Sequence, residues 1–142
     1  MSRSSALVLA AAALLAPAAL APVPAQAAVA CHGNACDGGS PKSAGCAADA
    51  RTVPGSEVPK AADHVRAWLR YSRACHAVWA QADASDGWEF AVQIRGGASH
   101  HAFTVTSGPT YTAMVGADHE HRVRLRDFDN QWEDGPWRKG GS

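Results

Sequence analysis

The residues best equipped for chemistry are the histidines, the cysteines and a run of arginines. Asp118-His119-Glu120-His121 and His100-His101 gather four imidazoles in one part of the chain. On a strand, His119 and His121 would share a face, and a cross-strand histidine would complete a three-ligand metal site. No His-Glu-x-x-His spacing accompanies them. They read as solvated loop and edge residues, with no metal and no cofactor assigned. Ser99 beside His100, and Ser72 near His76, pair a hydroxyl with a base, but neither lies in a Gly-x-Ser-x-Gly elbow. No catalytic residue is assigned on that ground. Arg122, Arg124 and Arg126 alternate with apolar residues, which puts three guanidiniums on one strand face, suited to an anion or a cell-wall phosphate. Trp132 and Trp137 fall outside the alternating runs. They suit a sugar- or peptide-stacking surface or a cap on the sheet edge, and the cap is preferred because exposed aromatics are uncommon without a partner. Arg122, Arg124, Arg126, Trp132 and Trp137 are the candidate ligand surface.

The four cysteines are Cys31, Cys36, Cys46 and Cys75. An even number in an exported chain reads as two disulfides. Three pairings are open, and the favoured one is Cys31–Cys36 with Cys46–Cys75. The first closes a short loop through Gly33; the second ties that loop region to the core. A zinc site is the rival, but there is no Cys-x-x-Cys and no following His pair.

The elements that must position these residues follow from the pattern. Arg3 and the uncharged apolar run from Ala6 to Ala21, then Ala25-Gln26-Ala27, match a secretory signal cleaved after Ala27. The apolar run is short for a membrane span, and no second candidate follows, so no span is expected in the mature chain. Ala28-Val29-Ala30-Cys31 loosely matches a lipid-attachment site, the alternative fate of Cys31. Residues 28–60 are rich in Gly, Ala, Pro and Ser and read as a disulfide-bearing loop region, with one short strand over Ala47–Val53.

Residues 64–81 are ambiguous by themselves: Val65, Ala67, Leu69 and Tyr71 alternate, while Trp68, Tyr71, Cys75 and Val78 fit a helical stripe. The later runs decide it. Trp88, Phe90, Val92 and Ile94 alternate with polar or small residues; so do Phe103 and Val105, Tyr111, Ala113 and Val115, and Val123 and Leu125. Short alternating runs bounded by Gly, Pro, Asp or Ser predict a sandwich or barrel, so Val65–Ser72 and Cys75–Gln81 are assigned as strands. The expected fold is all-β: a small disulfide-tied sandwich or partly closed barrel of five to seven short strands after a signal peptide. Its core spans 61–128, and 129–142 is a loose polar tail. The chain carries 13 basic and 13 acidic residues, and this balance argues against a nucleic-acid partner.

One stretch resembles a known family. Arg70-Tyr71-Ser72 followed by Cys75-His76-Ala77-Val78-Trp79-Ala80, with Cys31-His32-Gly33-Asn34-Ala35-Cys36, Asp49-Ala50-Arg51-Thr52 and Tyr111-Thr112-Ala113-Met114-Val115, is similar to the domain of unknown function 2690. This family is found in exported proteins of high-GC Gram-positive bacteria. The resemblance implies export, a small disulfide-tied domain and a sensing or binding role, with no catalytic residues to carry over. Many members have a late cysteine, and none follows Cys75 here. The reading is therefore a secreted, extracellular, non-catalytic binding or structural module of the cell surface with an unknown extracellular or cell-wall ligand. Its alternatives are a small secreted hydrolase or metal-dependent enzyme using the histidines, and a surface protein lipid-anchored through Cys31.

Overall fold

The computed structural model describes residues 28–58, 65–83, 87–105, 109–126 and 129–141. The expected leader, 1–27, lies outside the described residues. Among the described residues, ten strands form two sheets, and neither closes into a barrel. The first sheet holds β1 (Arg51–Thr52), β2 (Arg66–Ser72), β3 (Ala77–Asp83), β6 (Thr110–Tyr111) and β7 (Val115–Gly116). The second holds β4 (Glu89–Ile94), β5 (Ser99–Phe103), β8 (Glu120–Arg126), β9 (Trp132–Asp134) and β10 (Arg138–Lys139).

The hairpin β2–β3 is the centre of the first sheet, with Tyr71 opposite Val78 and Leu69 opposite Ala80. β2 follows the simple rule: Ala67, Leu69 and Tyr71 are buried, while Arg66 is exposed. β3 is buried from Ala77 through Ala80. Val78, Ala80 and Ala82 face the inter-sheet core, while Ala77 and Trp79 pack on the opposite face against Cys36, Cys46, Cys75 and Met114. A strand covered on both faces loses its alternation. That is the physical source of the helix-or-strand ambiguity over 64–81.

β8 alternates cleanly. His121, Val123 and Leu125 point inward, and Arg122, Arg124 and Arg126 point outward. Val123 and Leu125 join Leu69, Val78, Phe90, Val92 and Val115 in the core between the sheets.

Four expectations change. Of the short strand expected over Ala47–Val53 only Arg51–Thr52 pairs with β2, because Cys46–Asp49 coils as a 3-10 turn. The run Phe103–Val105 takes the opposite phase: Phe103 is 59% and Val105 48% exposed, while Thr104 is buried. Thr104 Oγ1 accepts the Trp88 amide at 3.0 Å, and Thr104 N donates to Trp88 O, so backbone pairing outweighs side-chain hydrophobicity there. The run Tyr111–Val115 is split between β6 and β7, because Thr112 turns in to accept the Ala80 amide at 3.1 Å and Met114 fills the disulfide-side cluster. The segment read as a loose tail, 129–142, carries β9 and β10, which pair with the two ends of β8. Gly135-Pro136 interrupts this edge. Gly135 N still donates to Val123 O at 2.8 Å, but Pro136 has no donor to give.

Candidate functional site

Two polar clusters lie at opposite sides of the sandwich. The first surrounds the disulfides. Cys31 is bonded to Cys36 and Cys46 to Cys75, the favoured pairing. The four sulfurs lie within 4.8 Å of one another. Zinc takes thiolates, and here every sulfur is shared with another sulfur; the Cys31 sulfur that a lipid anchor would use is engaged in the same way.

Beside the disulfides, Asp49 braces the β2–β3 turn. Its carboxylate accepts the Ser72 hydroxyl at 2.5 Å and the Ala74 amide at 2.8 Å, while Ser72 Oγ accepts the Cys75 amide at 3.0 Å. Partial burial is the strongest single influence and pushes Asp49 up, but the hydrogen bonds from Ser72, Ala74 and Arg73 together hold its pKa below the ordinary value. Arg70 donates to Ala50 O at 2.6 Å and to Thr52 Oγ1 at 3.0 Å. Ser72, a candidate nucleophile by sequence, is fully buried and already bonded at both ends of its hydroxyl, so its chemistry is architectural. His76 sits at φ 47°, a conformation a non-glycine residue keeps only when its surroundings hold it. Those surroundings are Asp118, 2.9 Å from Nε2, Tyr71 Oη, 3.3 Å from Nδ1, and the His32 ring stacked at 5.6 Å.

The remaining histidines are dispersed. His121 is buried and its Nε2 lies 2.9 Å from Gly116 O; burial lowers its pKa, partly offset by that carbonyl. His119 is exposed in a turn, His100 pairs opposite Val92 on the inner side of β5, and His101 lies on the outer side. The cross-strand His119–His121 site is not assembled, because His121 belongs to the inward phase of β8 with Val123 and Leu125.

The second cluster is the outer face of the second sheet. Register places Phe103, Glu89, Arg126 and Trp132 in one row, and His101, Ala91, Arg124 and Asp134 in the next. A third row brings Gln93 opposite Arg122. Carboxylates bridge the guanidiniums. Asp134 holds Arg122 at 2.8 Å and Arg124 at 2.5 Å; Glu89 holds Arg126 at 2.7 Å and His101 at 2.9 Å; Glu120 holds Arg95 at 2.5 Å. Arg126 is the main cause that keeps the Glu89 pKa below its ordinary value, against the upward push of burial and with help from His101. Arg124 and Arg126 lie 4.9 and 5.7 Å from the Trp132 ring centre; Arg122 and Arg95 lie 4.6 and 5.1 Å from that of Trp137.

Arg122, Arg124, Arg126, Trp132 and Trp137, named from sequence, thus come together on one face. Sequence reasoning missed Arg95, Glu89, Asp134 and Phe103 for this face, and weighed His101 only as a metal ligand. The alternation of β4 placed Glu89, Gln93 and Arg95 in one phase, a signal that would have found two of them.

The fold and these clusters define a small, disulfide-tied, two-sheet β domain. The chain matches the family described as "Protein of unknown function (DUF2690)" over residues 34–124, more than half of its length. It belongs to that family. No curated protein and no solved structure matches it.

Proposed function

We propose that the chain is an exported, non-catalytic binding module of the cell surface, and that the outer face of the second sheet is its binding surface. The observation that carries this reading is the pair Trp132 and Trp137. Each ring is flanked by two guanidiniums on a solvent-facing sheet rather than packed into the core. Arginine and tryptophan are the residue types that dominate recognition surfaces, and the nearby Phe103 is 59% exposed. Export is supported by the leader pattern of residues 1–27 and by the two disulfides.

Co-sedimentation of the purified protein with isolated cell-wall material tests the reading. The wild-type protein is expected in the pellet, and Trp132→Ala combined with Trp137→Ala in the supernatant. Equal sedimentation of both proteins would remove this face from the binding role.

A further inference from the structure

We infer that the ligand of this face is an acidic polysaccharide, with sugar rings stacked on Trp132 and Trp137 and acid groups paired with the arginines between them. The inference rests on the binding reading above and adds the ligand class. Charge comes first. The face carries Arg95, Arg122, Arg124, Arg126 and, opposite Glu120, Lys139, against Glu89, Glu120 and Asp134. The whole chain has equal numbers of basic and acidic residues, so five basic against three acidic side chains on this face is a local positive excess. That excess attracts an anionic group.

The arrangement of the charges narrows the class. Each carboxylate reaches at least one guanidinium, and Asp134 reaches two. A guanidinium has five N–H donors in a fixed fork, so these bonds orient it and leave donors over. The interspersed carboxylates repel a polymer of densely packed charges that has no hydroxyl groups. They accommodate one whose acid groups are set among sugar hydroxyls, since carboxylates accept hydroxyl hydrogen bonds.

Spacing completes the argument. Trp132 lies across from Arg126, and Trp137 lies over Arg122. Four residues of strand separate those arginines, about 13 Å along β8. Two aromatic side chains whose backbone positions lie that far apart on an extended sheet suit a linear chain of several sugar rings, each with an apolar C–H face for the indole and a polar edge for the forks.

Titration calorimetry of the whole disulfide-bonded protein tests this with four probes: hyaluronan and polygalacturonate oligomers as acidic chains, a chitin oligomer as a neutral chain, and linear inorganic polyphosphate as a polyanion without sugar. At least one acidic oligomer is expected to bind at least about tenfold more tightly than chitin or polyphosphate. Trp132→Ala and Trp137→Ala are each expected to weaken it about tenfold, and added salt to weaken it further. Chitin binding equal to the acidic chains, lost in the tryptophan variants, would overturn the acidic class while leaving the binding face intact. Polyphosphate binding most tightly, unchanged by the tryptophan variants, would overturn the stacking. Binding of neither acidic oligomer would overturn the inference, and the cell-wall sedimentation would then decide the binding reading separately.

Discussion

The Asp49 brace and the Arg–Trp face use similar residues to opposite ends. Around Asp49, polar side chains bond to backbone groups: the exposed Ala74 amide, the buried Cys75 amide through Ser72, and the part-buried Ala50 carbonyl through Arg70. On the outer sheet, polar side chains bond to one another and lie against aromatic rings in solvent. The first arrangement fixes the turn and satisfies the Cys75 amide, which would be costly to leave buried and unpaired. The second satisfies nothing the fold requires, because β8 already has its ladder bonds to β4. The contrast separates architecture from recognition. It also explains why the most recognisable motif, Arg70-Tyr71-Ser72-x-x-Cys75, says little about activity: its members hold a turn and a disulfide. The family match ends at residue 124, so Arg126, Trp132, Asp134 and Trp137 lie beyond it. The proposed binding face therefore extends beyond the matched region.

The comparison breaks most visibly at the disulfide end. Cys75→Ser is expected to cost about 2–4 kcal/mol, more than Cys36→Ser. The Cys46–Cys75 bridge spans a sequence separation of 29 and the Cys31–Cys36 bridge only 5. Loop-closure entropy makes that difference worth about 1.5 kcal/mol. Cys46 and Cys75 are both fully buried, whereas Cys31 is half-buried. Thermal melts under oxidising conditions measure it; an equal or larger loss for Cys36→Ser would shift the anchor to the short loop.

Asp49→Asn sharpens the comparison further. Losing one of its charge-assisted bonds is expected to cost about 1–3 kcal/mol at neutral pH. Because the folded pKa is lowered, the stabilisation is complete above the unfolded pKa and is lost as pH falls through the folded one. Wild type should therefore lose stability below the ordinary aspartate range, and Asp49→Asn should lose less over that interval. Glu89 is lowered in the same direction, chiefly by Arg126. Salt separates the two: an ion pair is screened, while bonds from a hydroxyl and amides are not. Acid melts at low and high salt should show a salt-dependent change for Glu89→Gln and a salt-independent one for Asp49→Asn.

Much of this was legible in the residues. The alternation of β4 and β8 announced an all-β fold, sandwich or partly closed barrel, and put Arg122, Arg124 and Arg126 on one face. The burial of His121, in phase with Val123 and Leu125, overturns its reading as a solvated residue. Three features were hidden. β3 has no polar face because the disulfide loop covers its outer side. Thr104 and Thr112 point inward because their hydroxyls accept backbone amides, which a hydrophobic pattern cannot reveal. The pairing of 132–139 with β8 rests on backbone bonds along a polar edge, and polar composition alone resembles a loop.

The smallest stability effect is expected on the face itself, and it is the one that decides the comparison. Arg124→Gln removes one of two guanidiniums on Asp134 and one of two on Trp132. Arg122 keeps Asp134, and Arg126 keeps Trp132. Arg124 is also only partly covered, so its ion pair is screened, and exposed pairs of this kind contribute about 0–1 kcal/mol. For a domain of this size that shifts the melting temperature by at most about 4–8 °C, less than Asp49→Asn. Binding should move the other way: the lost fork leaves the Trp132 platform without its nearer cation and should cost several-fold in affinity, while Asp49→Asn leaves affinity unchanged wherever the protein is folded. Melting and titration of the two variants side by side test the pair. If Arg124→Gln melted as low as Asp49→Asn with affinity intact, the face would be part of the scaffold, and the division between the two regions would fail.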